Sequence, residues 1–99
     1  MRIDYLRAAE VEFFEAAGRY EDQSSGLGRR FITEVDASLQ RALQHPAIYA
    51  RLYRGIRGVS VRGFPYTIYF RAETDRLIVM AVFHDKRHPD IWRRRATQE

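Results

Sequence analysis

The sequence contains no cysteine, only one lysine and no long run of apolar residues. The absence of cysteine excludes a disulfide framework and thiol chemistry, and it is typical of proteins in a reducing cytosol. The longest apolar run is 77–83, which is far shorter than the ~20 residues of a transmembrane helix. The acidic residue Asp4 comes too early for a signal peptide. These absences predict a cytoplasmic protein without a membrane segment.

The composition is that of one ordinary globular domain, which we expect to cover residues 1–99. Apolar residues make up 45% and charged residues 30% of the chain, a balance that supports a single core. The net charge is +4, and every cationic residue except Lys86 is an arginine. Arginine binds phosphates and carboxylates through a planar pair of donors, which favours a phosphate or an acidic partner. A GC-rich genome is the alternative explanation for the arginines.

The apolar run 77–83 is predicted to be a central strand, because side chains alternate between the two faces of a strand. One face is expected to carry Leu77, Val79, Ala81 and Phe83, and the other Ile78, Met80 and Val82. A strand that is apolar on both faces is normally covered on both. The run 66–72 is expected to pair with 77–84 across the turn 73–76.

Two amphipathic helices and two further strands complete the predicted fold. Apolar residues at spacings of three and four predict helices over 8–23 and 28–44, which form an antiparallel hairpin across the break at 24–26. Strands are expected at 2–6 and 59–62, and a short helix at 89–95. We therefore predict an α+β fold in the order β-α-α-β-β-β-α, with the helical hairpin packed on one face of a twisted antiparallel sheet.

The other face of this sheet is open to two interpretations. The hairpin covers only one face, so alternate apolar residues of 66–72 and 77–83 remain on the opposite one. An exposed apolar surface of that extent marks a site for a partner protein. Alternatively, Ile91, Trp92 and the connector 48–53 fold over it. The sequence alone does not decide between a partner and an internal cover.

The polar residues His84, Lys86 and Arg87 directly follow the central strand and form the main candidate site. A cationic cluster at the end of a strand suits a phosphate group or an acidic partner. The spacing of His84 and His88 would suit a metal ion on a helix, but this segment leaves a strand, and no cysteine or third histidine stands near it. We expect neither a metal site nor a cofactor.

An arginine stripe is the second candidate. Arg62 and Arg71 are expected to point outward from neighbouring strands, where with Arg87 they would stabilise a pentacoordinate phosphate. His84 and Tyr69 would then be the groups that transfer protons. The alternative is that these arginines pair with nearby acids as ordinary surface charges.

Four segments of the chain together resemble the RelE/ParE family of bacterial type II toxins, also called plasmid stabilisation proteins. The segments are Tyr20-Glu21-x-Gln23-x-x-Gly26-Leu27-Gly28-x-Arg30-Phe31, His45-Pro46, Arg62-x-Phe64-Pro65-Tyr66-x-Ile68-Tyr69-Phe70-Arg71 and Ala81-Val82-Phe83-His84-x-Lys86-Arg87-x-Pro89-x-x-Trp92. The resemblance implies a helical hairpin on an antiparallel sheet. It also implies a toxin–antitoxin hetero-oligomer, in which a segment of the cognate antitoxin wraps the toxin and covers apolar surface.

The two branches of this family differ in activity. RelE-like members cleave mRNA in the ribosome with basic residues on the sheet, whereas ParE-like members inhibit DNA gyrase without known hydrolytic chemistry. Thr67 stands where the RelE-like pattern has an arginine and Trp92 where it has a tyrosine, although Arg87 matches a basic position. The resemblance therefore favours a ParE-like toxin that acts by binding DNA gyrase and is not an enzyme.

Each activity assigns a role to residues that were singled out above. For a ParE-like toxin without assigned catalytic residues, the expected binding residues for target or partner are Arg62, Tyr69, Arg71, His84, Lys86, Arg87 and Trp92. For a RelE-like endoribonuclease acting on mRNA in the ribosome, the expected catalytic set is Arg62, Arg71, His84 and Arg87. A degenerate, non-toxic module that only binds an antitoxin is the third possibility.

Overall fold

The structure is a computed structural model that describes residues 2–98. This part of the chain forms, in order, β1 (Arg2–Tyr5), α1 (Arg7–Gln23), α2 (Leu27–Gln44), β2 (Arg51–Tyr53), β3 (Ile56–Ser60), β4 (Tyr66–Ala72), β5 (Arg76–His84) and α3 (Asp90–Gln98). A 3₁₀ turn at Pro46–Ile48 joins α2 to β2. None of the helices in residues 2–98 has the length and apolar character needed to cross a membrane.

The strands form one sheet in the order β1-β5-β4-β3-β2. Every neighbouring pair is antiparallel except β1 and β5, which run parallel. The hairpin of α1 and α2 carries the chain from β1 at one edge to β2 at the other. The predicted α+β fold with a helical hairpin is confirmed, with one refinement: the sheet is mixed, because β1 enters beside β5 in the same direction.

The connector 47–58 contains more structure than the sequence predicted. β2 and β3 form a hairpin through the two-residue turn Arg54–Gly55, and both of these residues have positive φ (47° and 78°), as this tight turn requires. β3 therefore begins at Ile56 and ends at Ser60, earlier than the expected 59–62. Arg62 consequently lies in the turn between β3 and β4, which corrects its predicted position on a strand.

The helical hairpin is closed by a glycine and a carboxylate. A Cβ at Gly28 would lie 2.5 Å from the Ala17 carbonyl oxygen, so only glycine lets the two helices approach this closely. The Glu21 carboxylate accepts hydrogen bonds from the Gly26 and Gly28 N–H groups at 2.9 and 3.0 Å. These bonds satisfy backbone donors at the start of α2 and lower the pKa of Glu21.

The main core lies between the hairpin and one face of the sheet, which we call the hairpin face. Its buried members include Phe13, Ala16, Phe31, Val35, Leu39, Ile68, Phe70, Leu77, Val79 and Val82. The stripes of apolar residues that predicted the two helices are the residues that pack here. Because this core is large and continuous, it fixes the position of α1 against β5.

A β-bulge in β5 changes which residues face the hairpin. Successive residues of β4 pair with Val79 and Ala81, so Met80 is the extra residue. Beyond the bulge, Val82 joins the core on the hairpin face, whereas Ala81 and Phe83 join the core on the opposite face. The strict alternation expected from the sequence is therefore wrong beyond Met80, because an extra residue shifts the alternation by one.

The face of the sheet opposite the hairpin, which we call the second face, is covered in part by α3. Trp92 and Ala96 of α3 pack there with Ile78, Met80, Ala81 and Phe83 of β5 and with Ile56 of β3. Ile91 and Tyr53 pack against the same cluster. Of the two interpretations of this face, the internal cover is the one observed over β5. Trp92 is its centre, with only 3% of its surface exposed.

Candidate functional site

The residues after β5 are held in a tight turn against the loop that precedes β4. The Arg87 N–H donates to the His84 carbonyl at 3.0 Å, and the Asp85 N–H donates to the Pro65 carbonyl at 2.9 Å. The Thr67 hydroxyl donates to the Asp85 carboxylate at 2.7 Å. These bonds fix the predicted cluster of His84, Lys86 and Arg87 at the carboxyl end of the central strand.

His84 lies at the end of β5 with one ring nitrogen already engaged. Its Nδ1 accepts a hydrogen bond from the Lys86 N–H at 3.1 Å, so the neutral imidazole carries its proton on Nε2. The ring contacts the edge of Tyr66, its partner in the β4–β5 register, with centroids 5.3 Å apart. His84 therefore offers an N–H donor from a half-exposed ring of fixed orientation.

A small cavity of about 90 Å³ opens beside His84. It is lined by Glu12, Glu15, Arg19, Tyr66, Val82, His84 and Arg87. The Arg19 guanidinium donates to the Tyr66 hydroxyl at 3.1 Å, and this bond raises the pKa of Arg19. Helix α1 thus supplies charges of both signs to a site that the sequence predicted from β5 alone.

Arg87 is oriented by an aromatic ring and a carboxylate. Its guanidinium lies 3.9 Å from the centre of the Phe83 ring and 3.4 Å from Oε2 of Glu12. A cation over an aromatic face is attracted by the ring electrons. With 43% of its side chain exposed, Arg87 presents its remaining N–H donors to solvent.

Glu12 also closes the part of the β5 edge that β1 does not cover. Its Oε1 accepts a hydrogen bond from the Val82 N–H at 3.1 Å, and its carboxylate forms a two-point ion pair with Arg95 at 2.9 and 2.7 Å. Arg95 in turn donates to the Met80 carbonyl, at the bulge, at 3.0 Å. Two side chains from α1 and α3 therefore satisfy backbone groups that a neighbouring strand would otherwise bind.

Neither of the other two predicted arginines forms an ion pair with this cluster among the described residues. Arg71 is five residues along β4 from Tyr66, which is the partner of His84, a separation of roughly 17 Å at the rise of a strand. Its guanidinium lies 3.9 Å from Glu73. Arg62 is exposed in the turn before β4. The structure therefore brings His84, Lys86 and Arg87 together and places Arg71 elsewhere, whereas Arg62 lies in the loop 61–65, which is hydrogen-bonded to Asp85 through the Pro65 carbonyl.

Tyr69 and Trp92, the two predicted aromatic contacts, form a stacked pair on the second face. Their ring centroids are 4.3 Å apart with an interplanar angle of 16°. Burial, together with the charge of Asp85, raises the pKa of Tyr69, so its phenol stays protonated near neutral pH. The Trp92 indole N–H is buried and has no acceptor among the described residues. In this structure the pair anchors α3 to the sheet.

The arrangement at the end of β5 is suited to binding through cations and hydrogen-bond donors. Among residues 2–98, no group of three His, Asp or Glu side chains is placed to hold a metal ion. Sequence reasoning missed the contributions of Glu12, Arg19, Tyr66 and Arg95. The spacing of Glu12, Glu15 and Arg19 along α1 was the available signal, because residues three and four apart lie on one face of a helix.

Comparisons with known proteins agree on one family. The family model described as the ParE toxin of the type II toxin–antitoxin system parDE matches residues 3–89. Toxin ParE2 of Mycobacterium tuberculosis, in strains CDC 1551 and H37Rv, is 28% identical over 90 residues, which are 90% of this chain and 86% of the relative.

A solved structure shares the fold. The chromosomal ParDE TA system from P. aeruginosa matches with a TM-score of 0.69, over 85% of this chain and 95% of that chain, at 13% sequence identity. At that identity the likeness establishes the fold, and the match to the family model over 3–89 carries the assignment.

Proposed function

This chain belongs to the ParE toxin family of type II toxin–antitoxin systems, and from that premise we propose that it arrests bacterial growth by binding DNA gyrase and is neutralised by a cognate antitoxin. The gyrase target comes from the resemblance to ParE-like toxins. The binding residues that we propose at the end of β5 are His84, Lys86 and Arg87, which lie together on one turn.

The dispersion of the possible catalytic residues supports binding over hydrolysis. A ribonuclease needs its phosphate-stabilising cations and its proton carriers around one scissile bond. Arg71 lies roughly 17 Å along the strand from the position of His84, and Arg62 is exposed in the loop 61–65 rather than on a strand beside Arg71. Tyr69, the other candidate proton carrier, is stacked on Trp92 and its pKa is raised.

One feature favours the ribonuclease as the second candidate. His84, Arg19, Tyr66 and Arg87 line the same small cavity, where a histidine can transfer protons and arginines can stabilise charge on a phosphate. The set differs from the one that the sequence suggested, since it replaces Arg62 and Arg71 with Arg19 and Tyr66.

Inducible expression of the chain alone in bacteria tests the proposal. We expect growth arrest with induction of the SOS response while mRNA stays intact, because a gyrase inhibitor causes DNA breaks. Arrest with mRNA cut inside translated frames would replace the proposal with the ribonuclease. Unchanged growth, with soluble protein present, would leave a non-toxic module that only binds an antitoxin.

A pair of variants tests the surface at the end of β5. Lys86→Gln removes an exposed charge that makes no ion pair among the described residues, so the fold is preserved. Arg7→Gln removes a charge that is also exposed, at the start of α1, and is the control. We expect Lys86→Gln to need more inducer for arrest and Arg7→Gln to match the wild type. Equal toxicity of the two variants would remove Lys86 from the proposed surface.

A further inference from the structure

The second half of the chain carries the whole excess of positive charge. Residues 51–99 contain eleven of the 17 cationic residues but only five of the 13 acidic ones. The excess is concentrated where the β2–β3 turn meets α3. Arg54, Arg93 and Arg94 are exposed there, and none of them forms an ion pair with a carboxylate of the described residues.

Two of these guanidiniums are held in place by one aromatic ring. Arg54 lies 5.5 Å and Arg93 lies 5.7 Å from the centre of the Tyr53 ring. The Arg54 Nε also donates to the Tyr53 hydroxyl at 3.1 Å, and Arg93 lies 5.6 Å from the Trp92 ring. Tyr53 therefore orders two cations that would otherwise be flexible, which reduces the entropy that binding an anion would cost.

The backbone at Arg54 adds an independent observation. Arg54 is the one non-glycine residue with positive φ in the described part of the chain, at 47°. Asn, Asp and Gly adopt this conformation in tight hairpin turns far more readily than a long side chain does. The chain thus places a guanidinium on Tyr53 in spite of backbone strain, and strain of this kind is found where a side chain has a function.

Arg93, but not Arg54, lines an open groove next to Tyr53. Tyr53, Asp90, Arg93, Arg94 and Thr97 line an open groove of about 530 Å³. Leu52, the neighbour of Tyr53 in β2, is 50% exposed and lies over Gly58 on the second face. A Cβ added at Gly58 would lie 3.0 Å from the Leu52 side chain.

These features favour a peptide over a nucleic acid as the occupant. A phosphate backbone carries charge at every nucleotide and would meet Asp90 inside the groove. A peptide can space its carboxylates around Asp90 and place an apolar side chain on Leu52.

We propose that Arg54, Tyr53 and Arg93, with Arg94 on the rim, form a binding site for an acidic segment of a protein partner, with an apolar residue of that segment packed on Leu52. Two N–H donors of each guanidinium match one carboxylate. The site is separate from the turn after β5. It rests on the proposed function only for the identity of the partner, which would be the cognate antitoxin.

Fluorescence anisotropy with the purified chain tests the site. The probe is a labelled peptide of repeating Glu-Leu-Glu-Ser units, and its control is the same peptide with Gln in place of Glu. A DNA duplex of equal charge is the third ligand. We expect the acidic peptide to bind and the Gln peptide to bind at least about tenfold more weakly. In NMR spectra of the chain, we expect the acidic peptide to change the chemical shifts of residues 51–58 and 90–97.

Matched double variants locate the binding. Arg54→Gly with Arg93→Gln removes both stacked cations, and the glycine relieves the strained turn, so the fold is retained. Arg7→Gln with Arg29→Gln removes two exposed arginines of the first half of the chain. We expect the first double variant to bind the acidic peptide about tenfold more weakly than the wild type, and the second double variant to bind it with unchanged affinity.

Several results would overturn the site. These are no binding of the acidic peptide, equal binding of the Gln peptide, or an equal effect of the two double variants. Tighter binding of DNA that is lost in Arg54→Gly with Arg93→Gln would assign the groove to nucleic acid. Growth arrest without peptide binding would overturn this site alone, whereas peptide binding without arrest would overturn the toxin proposal and retain the site.

Discussion

Glu12 joins three elements of the fold through one carboxylate. It accepts the Val82 N–H of β5, pairs with Arg95 of α3 and is itself part of α1. The Glu12 and Arg95 side chains are only 12% and 16% exposed, so removal of either partner leaves a charge with little access to water. A buried pair that is broken from one side is strongly destabilising, whatever the net contribution of the intact pair.

We therefore expect Glu12→Ala to lower the free energy of unfolding by about 3 kcal/mol, because removing one partner of a buried ion pair leaves the other charge buried and unpaired. Glu15→Ala, at an exposed position one turn further along α1, is the control and is expected to change it by less than ~0.5 kcal/mol. Urea denaturation measures both. Equal, small losses in the two variants would show that the Glu12–Arg95 pair contributes nothing to the fold in solution.

Tyr5 gives the fold a pH dependence at the alkaline end. Its ring stacks on Phe13 with centroids 5.9 Å apart, and burial, with the charges of Asp36 and Glu10, raises its pKa from 10.0 to about 12. A raised pKa in the folded state means that folding favours the neutral phenol. Its contribution is complete below pH 10 and is lost as the pH rises towards 12.

We accordingly expect the wild type to lose stability more steeply than Tyr5→Phe between pH 10 and pH 12. The phenylalanine keeps the stacking on Phe13 but has no proton to lose. Thermal unfolding at several pH values measures the difference. Tyr49→Phe, which replaces a half-buried tyrosine at another place in the fold, is the comparison. Parallel pH profiles for Tyr5→Phe and the wild type would contradict the raised pKa.

The candidate site was predictable only where its residues are neighbours in sequence. His84, Lys86 and Arg87 follow an apolar strand, and charge at a strand end is visible in the sequence. Arg19 reaches the site because the main core places α1 beside β5, and sequence spacing does not specify which helix face meets which strand end. The expected stripe failed for Arg62 because the strand ends two residues before it.

At the scale of elements, the helices were predictable because their apolar stripes are long. The expected spans 8–23 and 28–44 begin one residue later than the observed α1 and α2 and end where they end. The bulge at Met80 was not predictable, because both faces of 77–83 are apolar and a shift by one residue leaves the pattern unchanged. The sequence pattern of a strand that is apolar on both faces therefore does not reveal a bulge.

Two glycines of the hairpin give opposite expectations for the same substitution. A Cβ at Gly28 would collide with the Ala17 carbonyl at 2.5 Å, whereas a Cβ at Gly18 would meet nothing within 4 Å. Gly28→Ala should lower the free energy of unfolding by about 1–3 kcal/mol, as overpacking does. Gly18→Ala should raise it by up to ~1 kcal/mol, because alanine favours a helix interior.

Chemical denaturation of the two variants checks the hairpin geometry. Each serves as the control for the other, since both replace a glycine of the same hairpin by alanine. Stabilisation by Gly28→Ala would mean that the two helices are further apart than the structure shows.

At the scale of the molecule, two cores of unequal size share one sheet. The hairpin face buries most of α1 and α2, while the second face is covered over β5 by the single short helix α3. Two interpretations of the second face were open because the residue pattern shows that a strand is apolar on both sides but not which segment covers it. Trp92, which one of these interpretations placed over the second face, is the residue that resolves this in the structure.

The unequal cores predict that α3 detaches before the rest of the fold unfolds. Trp92 is the largest side chain that α3 contributes to the smaller core. Trp92→Ala should therefore lower the free energy of detaching α3 from the sheet by about 3–5 kcal/mol. Elements with few buried contacts open locally at a lower free energy than the global unfolding. We expect amide hydrogen exchange to become faster in α3 and in the second-face residues of β5, while α1 and α2 keep their protection.

Arg94→Ala, which removes an exposed side chain of the same helix, is the control and should leave the exchange rates of α3 unchanged. Faster exchange spread evenly over α1, α2 and α3 in Trp92→Ala would mean that the two cores unfold as one unit. In that case α3 would be an integral part of the fold rather than a separately opening cover. Localised exchange would instead mean that the apolar second face over β5 becomes accessible without loss of the hairpin core.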